Sequence, residues 1–185
     1  MDIETLAAST IGRTVVTALS AAMESRLRYR FFAPTKILAG ADILPGQTVL
    51  EVGCGTGFFT IPVARVIGEQ GLVIAMDVVP AAVDAVTRRV EAAALRNVRV
   101  VRGDALDTGL DEASIDTALL FGDVPAPTLP LGRLLAEVHR VLRADGTLAV
   151  WPPIPVFLPE AVLRSGLFAW ESRRGGVYNF RRRTV

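Results

Sequence analysis

The sequence predicts an α/β protein: a doubly wound, mostly parallel sheet of seven strands whose last two form an antiparallel β-hairpin. Three observations carry this. Between residues 48 and 151, short apolar runs alternate with segments of helical period. The runs show no polar face, as expected for strands covered by helices on both sides. Residues 167–172 and 177–182 flank Arg173-Arg174-Gly175-Gly176, which reads as two strands joined at a glycine turn.

The elements follow in order. Residues 3–30 place Ile3, Leu6, Ile11, Val15, Leu19, Met23 and Leu27 at spacings that follow one helix face, with Gly12 as a weak point. Pro34 opens a short helix through Leu38, ended by Gly40, and Pro45-Gly46 is a turn. Residues 48–52 form the first strand, 57–68 a helix, 72–76 the second strand, and 80–95 a helix with Pro80 in its first turn. Residues 97–101 are the third strand and 115–121 the fourth, reached through an acidic loop. Residues 131–142 are helical, and Asp145-Gly146 turns into a fifth strand at 147–151, stopped by Pro152-Pro153. Strands alternating with helices of this length build βαβ units.

Composition narrows the class. A chain of 185 residues, 51% hydrophobic, fits one domain with a substantial core. Twenty Lys and Arg against nineteen Asp and Glu leave a formal charge of +1, so a dedicated nucleic-acid binder is not expected. Cys54 is the only cysteine and His139 the only histidine, so neither an internal disulfide nor a zinc cluster is expected, and no metal ligands are assigned. The acidic start and the polar interruptions of residues 6–23 suit neither a signal peptide nor a spanning helix, and the expected location is the cytoplasm.

The chemistry concentrates at the loop after the first strand, Glu51-Val52-Gly53-Cys54-Gly55-Thr56-Gly57. A ligand across the carboxyl end of a parallel sheet needs close approach of the backbone, and the three glycines remove the Cβ atoms that block it. A plain tight turn would also use glycines. Spacing then discriminates: the third glycine comes one residue earlier than in the dinucleotide fingerprint, and no Lys-Ser or Lys-Thr follows to make a phosphate-cradling loop. Glu51 would repel a pyrophosphate but suits an ammonium group. Asp77, at the end of the second strand, is placed to accept from two ribose hydroxyls, or to cap the next helix. Asp104, after the third strand, is placed to accept from an adenine amine, or to hold a turn. The pattern favours an adenosyl amino acid.

Those segments resemble the class I S-adenosylmethionine (SAM)-dependent methyltransferases, in the small-molecule branch that includes quinone-biosynthesis enzymes. Val49 to Gly57 is similar to the family's first motif, Asp77 to its acidic second, Gly103-Asp104-Ala105 to its third and Ile115 to Leu120 to its fourth. His139 to Thr147 resembles a segment usually written H-R-V-L-K-P-G-G. The likeness covers roughly residues 35–150. It implies a Rossmann-like fold and SAM as methyl donor. It implies that Glu51, Gly53, Cys54 and Gly55 hold the methionine part, Asp77 and Val78 the ribose and adenine face, and Asp104 and Ala105 the adenine. Phe121 and Gly122 would line the transfer point.

Asp123 is the carboxylate best placed to act as a base or to orient the acceptor, although a loop acid in a Pro-rich turn reads the same way. Its surroundings depart from the Asn/Asp-Pro-Pro-Tyr/Phe pattern of enzymes that methylate exocyclic amino groups. His139 is expected to be structural, and Cys54 a small filler. Residues 1–34 are expected to form an N-terminal helical cap on a SAM-binding domain at 35–185. In that cap, Arg26, Arg28, Tyr29, Arg30, Phe31 and Phe32 mix cations with aromatics, which suits an anionic acceptor or a peripheral contact with a lipid surface, although an amphipathic helix packed on the sheet or on a second subunit of a homodimer reads the same way. The acceptor is expected to be a small molecule or a lipid. The alternative is a SAM-binding interaction module without turnover.

Overall fold

The computed structural model describes residues 33–122, 130–152 and 159–184. The expected cap therefore lies outside the described residues, except for its last two positions, and so does Asp123. The elements are α1 (Pro34–Leu38), β1 (Thr48–Val52), α2 (Thr60–Ile67), β2 (Leu72–Asp77), α3 (Pro80–Ala92), β3 (Val98–Arg102), β4 (Ile115–Phe121), α4 (Leu131–Val141), β5 (Leu142–Trp151), α5 (Pro159–Leu163), β6 (Phe168–Arg174) and β7 (Val177–Arg182).

The seven strands form one sheet in the order β3-β2-β1-β4-β5-β7-β6. The first five are parallel, and β7 runs antiparallel to both β5 and β6. The expected fold class holds. β1, β2 and β4 are almost wholly buried along their length, which explains their unbroken apolar runs. One face packs Val49, Val73, Ala75 and Leu119 against α1, α2 and α3; the other packs Leu50, Ile74, Leu120 and Val150 against α4 and α5. Chain order reverses between β1 and β4, so the loops after β1, β2 and β4 open on one crevice at the sheet's carboxyl edge. No described helix is long and apolar enough to cross a membrane.

Boundaries moved where backbone geometry overrides pattern. The helix after the glycine loop starts at Thr60, not at residue 57, because Gly57 has φ 81°, outside the helical region. The helix after β2 stops at Ala92, short of residue 95, and Ala94 turns left-handed at φ 51°. β3 lies one residue later than expected. β5 begins at Leu142, yet Leu142 pairs with Ile115 and Thr147 with Thr117, so residues 143–146 bulge opposite a single residue of β4. The expected Asp145-Gly146 turn is the crest of that bulge. In the hairpin, Arg174 pairs with Val177, and Gly175 and Gly176 both carry positive φ (55° and 83°), as a type I′ turn requires. α5 was not anticipated.

Candidate functional site

The glycine loop leaves β1 at the switch point and is held in place by its neighbours. The Cys54 amide donates to the Met76 carbonyl at 3.0 Å, and the Gly57 amide to the Cys54 carbonyl at 2.8 Å. Gly53, Gly55 and Gly57 have φ values of 68°, 52° and 81°, which L-residues with a Cβ adopt only under strain. A Cβ at Gly57 would also meet Val86 Cγ2 of α3 at 3.3 Å. Among the described residues the space at Gly55 is open, with nothing nearer to a Cβ than the Gly53 carbonyl at 4.0 Å. A ligand can therefore lie against the backbone there.

Asp77 closes the loop from β2. Its Oδ2 accepts the Gly55 amide at 2.9 Å and its Oδ1 the Val79 amide at 2.9 Å. The carboxylate thus bridges two loops, where the sequence suggested either a ligand contact or a helix cap. A carboxylate offers about four acceptor positions, so two backbone donors leave capacity for a diol. The Gly103 amide donates to the Asp77 carbonyl at 3.1 Å, which ties the loop after β3 to the same point.

Glu51 is buried, 2% exposed, and its Oε2 accepts the Thr60 hydroxyl at 2.5 Å. Thr60 is itself fully buried at the first position of α2. A carboxyl group this deep needs partners to offset desolvation, and Thr60 supplies one. Sequence reading missed Thr60; its signal is a lone hydroxyl opening a helix that is apolar but for Arg65. Arg89 was also missed. It stands in the last turn of α3 and donates from Nη1 to the Thr56 carbonyl at 2.6 Å. An arginine on a helix surface carries no sequence signal of that role.

The remaining predicted residues divide. Val78 and Val79 are exposed, 64% and 50%, which is unusual for adjacent large apolar side chains. Asp104 is exposed and folds its own loop, with Oδ1 accepting the Leu106 amide at 2.9 Å. Ala105 packs partly into the core. Cys54 is buried in the core. Phe121 does not open outward: its ring lies in the core, edge-on to Phe59 at 5.0 Å between centroids, beside Trp151 at 6.5 Å. Gly122, at φ 99°, turns the chain off the sheet and donates its amide to the Trp151 carbonyl at 3.0 Å. His139 lies away from this edge, its Nε2 2.8 Å from the Arg183 carbonyl oxygen and its ring against Phe168.

A second polar cluster supports the loop that carries Asp104. Glu137 of α4 accepts both the amide (2.9 Å) and the hydroxyl (2.6 Å) of Thr108, and pairs with Arg140 at 2.7 Å. Arg140 also donates to the Leu110 carbonyl at 2.8 Å. The Arg140 guanidinium, followed by the two Thr108 donors, outweighs burial and holds the Glu137 carboxyl down at about 2.

This arrangement defines a class: a Rossmann-like sheet whose switch point pairs a glycine loop with an acid on the next strand. A family model for a methyltransferase domain matches residues 49–146, and the chain belongs to that family. It is 32% identical over 133 residues to the nocamycin O-methyltransferase of Saccharothrix syringae, covering 68% of this chain and 45% of that one. It is 31% identical over 106 residues to the demethylmenaquinone methyltransferase of Bacillus cereus, covering 57% and 44%. The chain spans about half the length of these curated relatives. Among solved structures, a SAM-dependent methyltransferase from Aquifex aeolicus superposes with a TM-score of 0.76 at 22% identity, covering 89% of this chain and 96% of that one.

Proposed function

We propose that the chain is a SAM-dependent methyltransferase acting on a small-molecule acceptor. The observation that carries this is the Asp77 carboxylate bound to the Gly55 amide beside an open backbone surface. SAM supplies a methyl group on a sulfonium, with a neutral thioether as leaving group. The chain's own part is to bind and align, and alignment alone can contribute ~7–11 kcal/mol.

In this reading Asp77 takes the ribose hydroxyls. Glu51, oriented by Thr60, faces the ammonium. Val78 covers one face of the adenine with apolar surface, and Asp104 and Ala105 border its edge. Gly53, Cys54 and Gly55 give the methionine part a backbone lining. Phe121 acts through Gly122: buried with Phe59 and Trp151, it fixes where the chain leaves the sheet, and Gly122 borders the acceptor. Asp123, next in the chain, serves as base or orienting group. The names of the relatives, a nocamycin O-methyltransferase and a demethylmenaquinone methyltransferase, favour a small-molecule acceptor here, and a lipid acceptor and a cytoplasmic location belong to the same reading.

The test is a SAM-coupled assay of S-adenosylhomocysteine release over phenols, quinones, amines and phospholipids. Release with one acceptor class, reduced by Asp77→Ala, is the expected result. Titration calorimetry that detects neither SAM nor S-adenosylhomocysteine binding to folded protein would reject the reading.

A further inference from the structure

The glycine loop is soft by composition. Thr56 lies between Gly55 and Gly57, both at positive φ, and glycine populates either sign of φ about equally. The peptide that joins Thr56 to Gly57 can therefore rotate at little local cost unless something else holds it. Its amide end is held within the loop, by the Cys54 carbonyl at 2.8 Å. Its carbonyl end is held from outside, by Arg89 Nη1 at 2.6 Å, 33 residues further on.

Arg89 belongs to α3, the 13-residue helix that starts three residues after Asp77. One helix therefore joins the two sides of the site. Its start follows the carboxylate that accepts the Gly55 amide, and its last turn carries the cation that grips Thr56. A bond from a charged donor is stronger than one between neutral groups. It sits where the loop's own chemistry gives least resistance to rotation.

We propose that Arg89 is a positioning residue for the methyl donor: by fixing the Thr56–Gly57 peptide it keeps the Gly55 amide on Asp77 and the loop in its binding shape. The proposal rests on the SAM-binding reading above. It goes beyond that reading by assigning a role to a residue outside the glycine loop and outside the strand-end acids.

The experiment compares wild type, Arg89→Met and Arg89→Lys in calorimetric titrations with S-adenosylhomocysteine. It adds amide hydrogen exchange at Gly57 and thermal melting of the ligand-free proteins. Methionine keeps much of the aliphatic stem, and lysine keeps a donor. Loss of the charge-assisted bond to the Thr56 carbonyl predicts about tenfold weaker binding for Arg89→Met, with Arg89→Lys within about threefold of wild type. Gly57 exchange should accelerate in Arg89→Met, and the melting midpoints should agree within about 4 °C. Binding by Arg89→Met as tight as wild type, unchanged Gly57 exchange, or a lysine variant as weak as methionine would each overturn the proposal. If Arg89→Met does not fold, Arg89→Gln is read against the same thresholds. Wild-type protein that binds no S-adenosylhomocysteine sinks the proposed function instead, and Gly57 exchange still decides the role of Arg89.

Discussion

Asp77 and Gly55, 22 positions apart in the chain, meet across 2.9 Å where β1 and β2 end. The bond joins a carboxylate to a loop amide beside space that no other described residue fills. Asp77→Ala removes the acceptor of two backbone amides and the proposed diol contact together. Bonds to charged acceptors of this kind are worth about 1.5–3 kcal/mol, or roughly ten- to a hundredfold in Kd. Calorimetry with S-adenosylhomocysteine should show a loss of that size. Asp77→Asn, which keeps one carbonyl acceptor, should lose less.

Glu51→Gln separates charge from shape. The Thr60 hydroxyl can still donate to an amide oxygen, so the melting temperature should hold within a few degrees. Binding of S-adenosylhomocysteine should weaken by about tenfold, the scale of one charge-assisted contact. 5′-Methylthioadenosine, which lacks the amino-acid part, should bind wild type and variant equally. Equal losses for both ligands would show that Glu51 acts on the fold rather than on an ammonium.

Gly57→Ala forces a Cβ into positive φ and against Val86. The backbone penalty alone is about 1–2 kcal/mol. Urea unfolding should show at least that loss, whereas Gly46→Ala, also at positive φ but with no described residue near its Cβ, should show the backbone penalty alone. A smaller loss at Gly57 than at Gly46 would refute the packing argument.

The Glu137 cluster predicts an acid dependence. The folded carboxyl titrates at about 2, below the ordinary carboxylate range. A lowered folded value contributes stability above the unfolded value, and that stability fades as pH falls through the folded one. Glu137→Gln should therefore destabilise the protein at pH 7, and the gap to wild type should close between about pH 4.5 and 2. Urea titrations at several pH values give the comparison, and a gap independent of pH would contradict it. Thr108→Val should reproduce part of the effect.

Much of the fold could be read from the chain. The apolar runs at 48–52, 72–76 and 115–121 mark strands buried on both faces, because such strands leave no polar face to write. The Gly175-Gly176 pair marks the hairpin, because its turn needs positive φ twice. Helix starts and stops were less legible where one residue's φ decided them, as at Gly57 and Ala94. Nothing local announces α5, five residues long and held by burial of Val162.

The site divides in the same way. By itself the sequence determined the residue types the chemistry needs: glycines where backbone must approach a ligand, Glu51 before them, and Asp77 and Asp104 at later strand ends. Their spacing follows from strand and helix length, which is local. Only the tertiary structure decided the partners. It put Thr60 under Glu51, Arg89 on the Thr56 carbonyl, and Phe121 in the core beside Trp151. Those relationships join residues on different elements. They depend on how helices pack on the sheet, and no local periodicity or propensity records that.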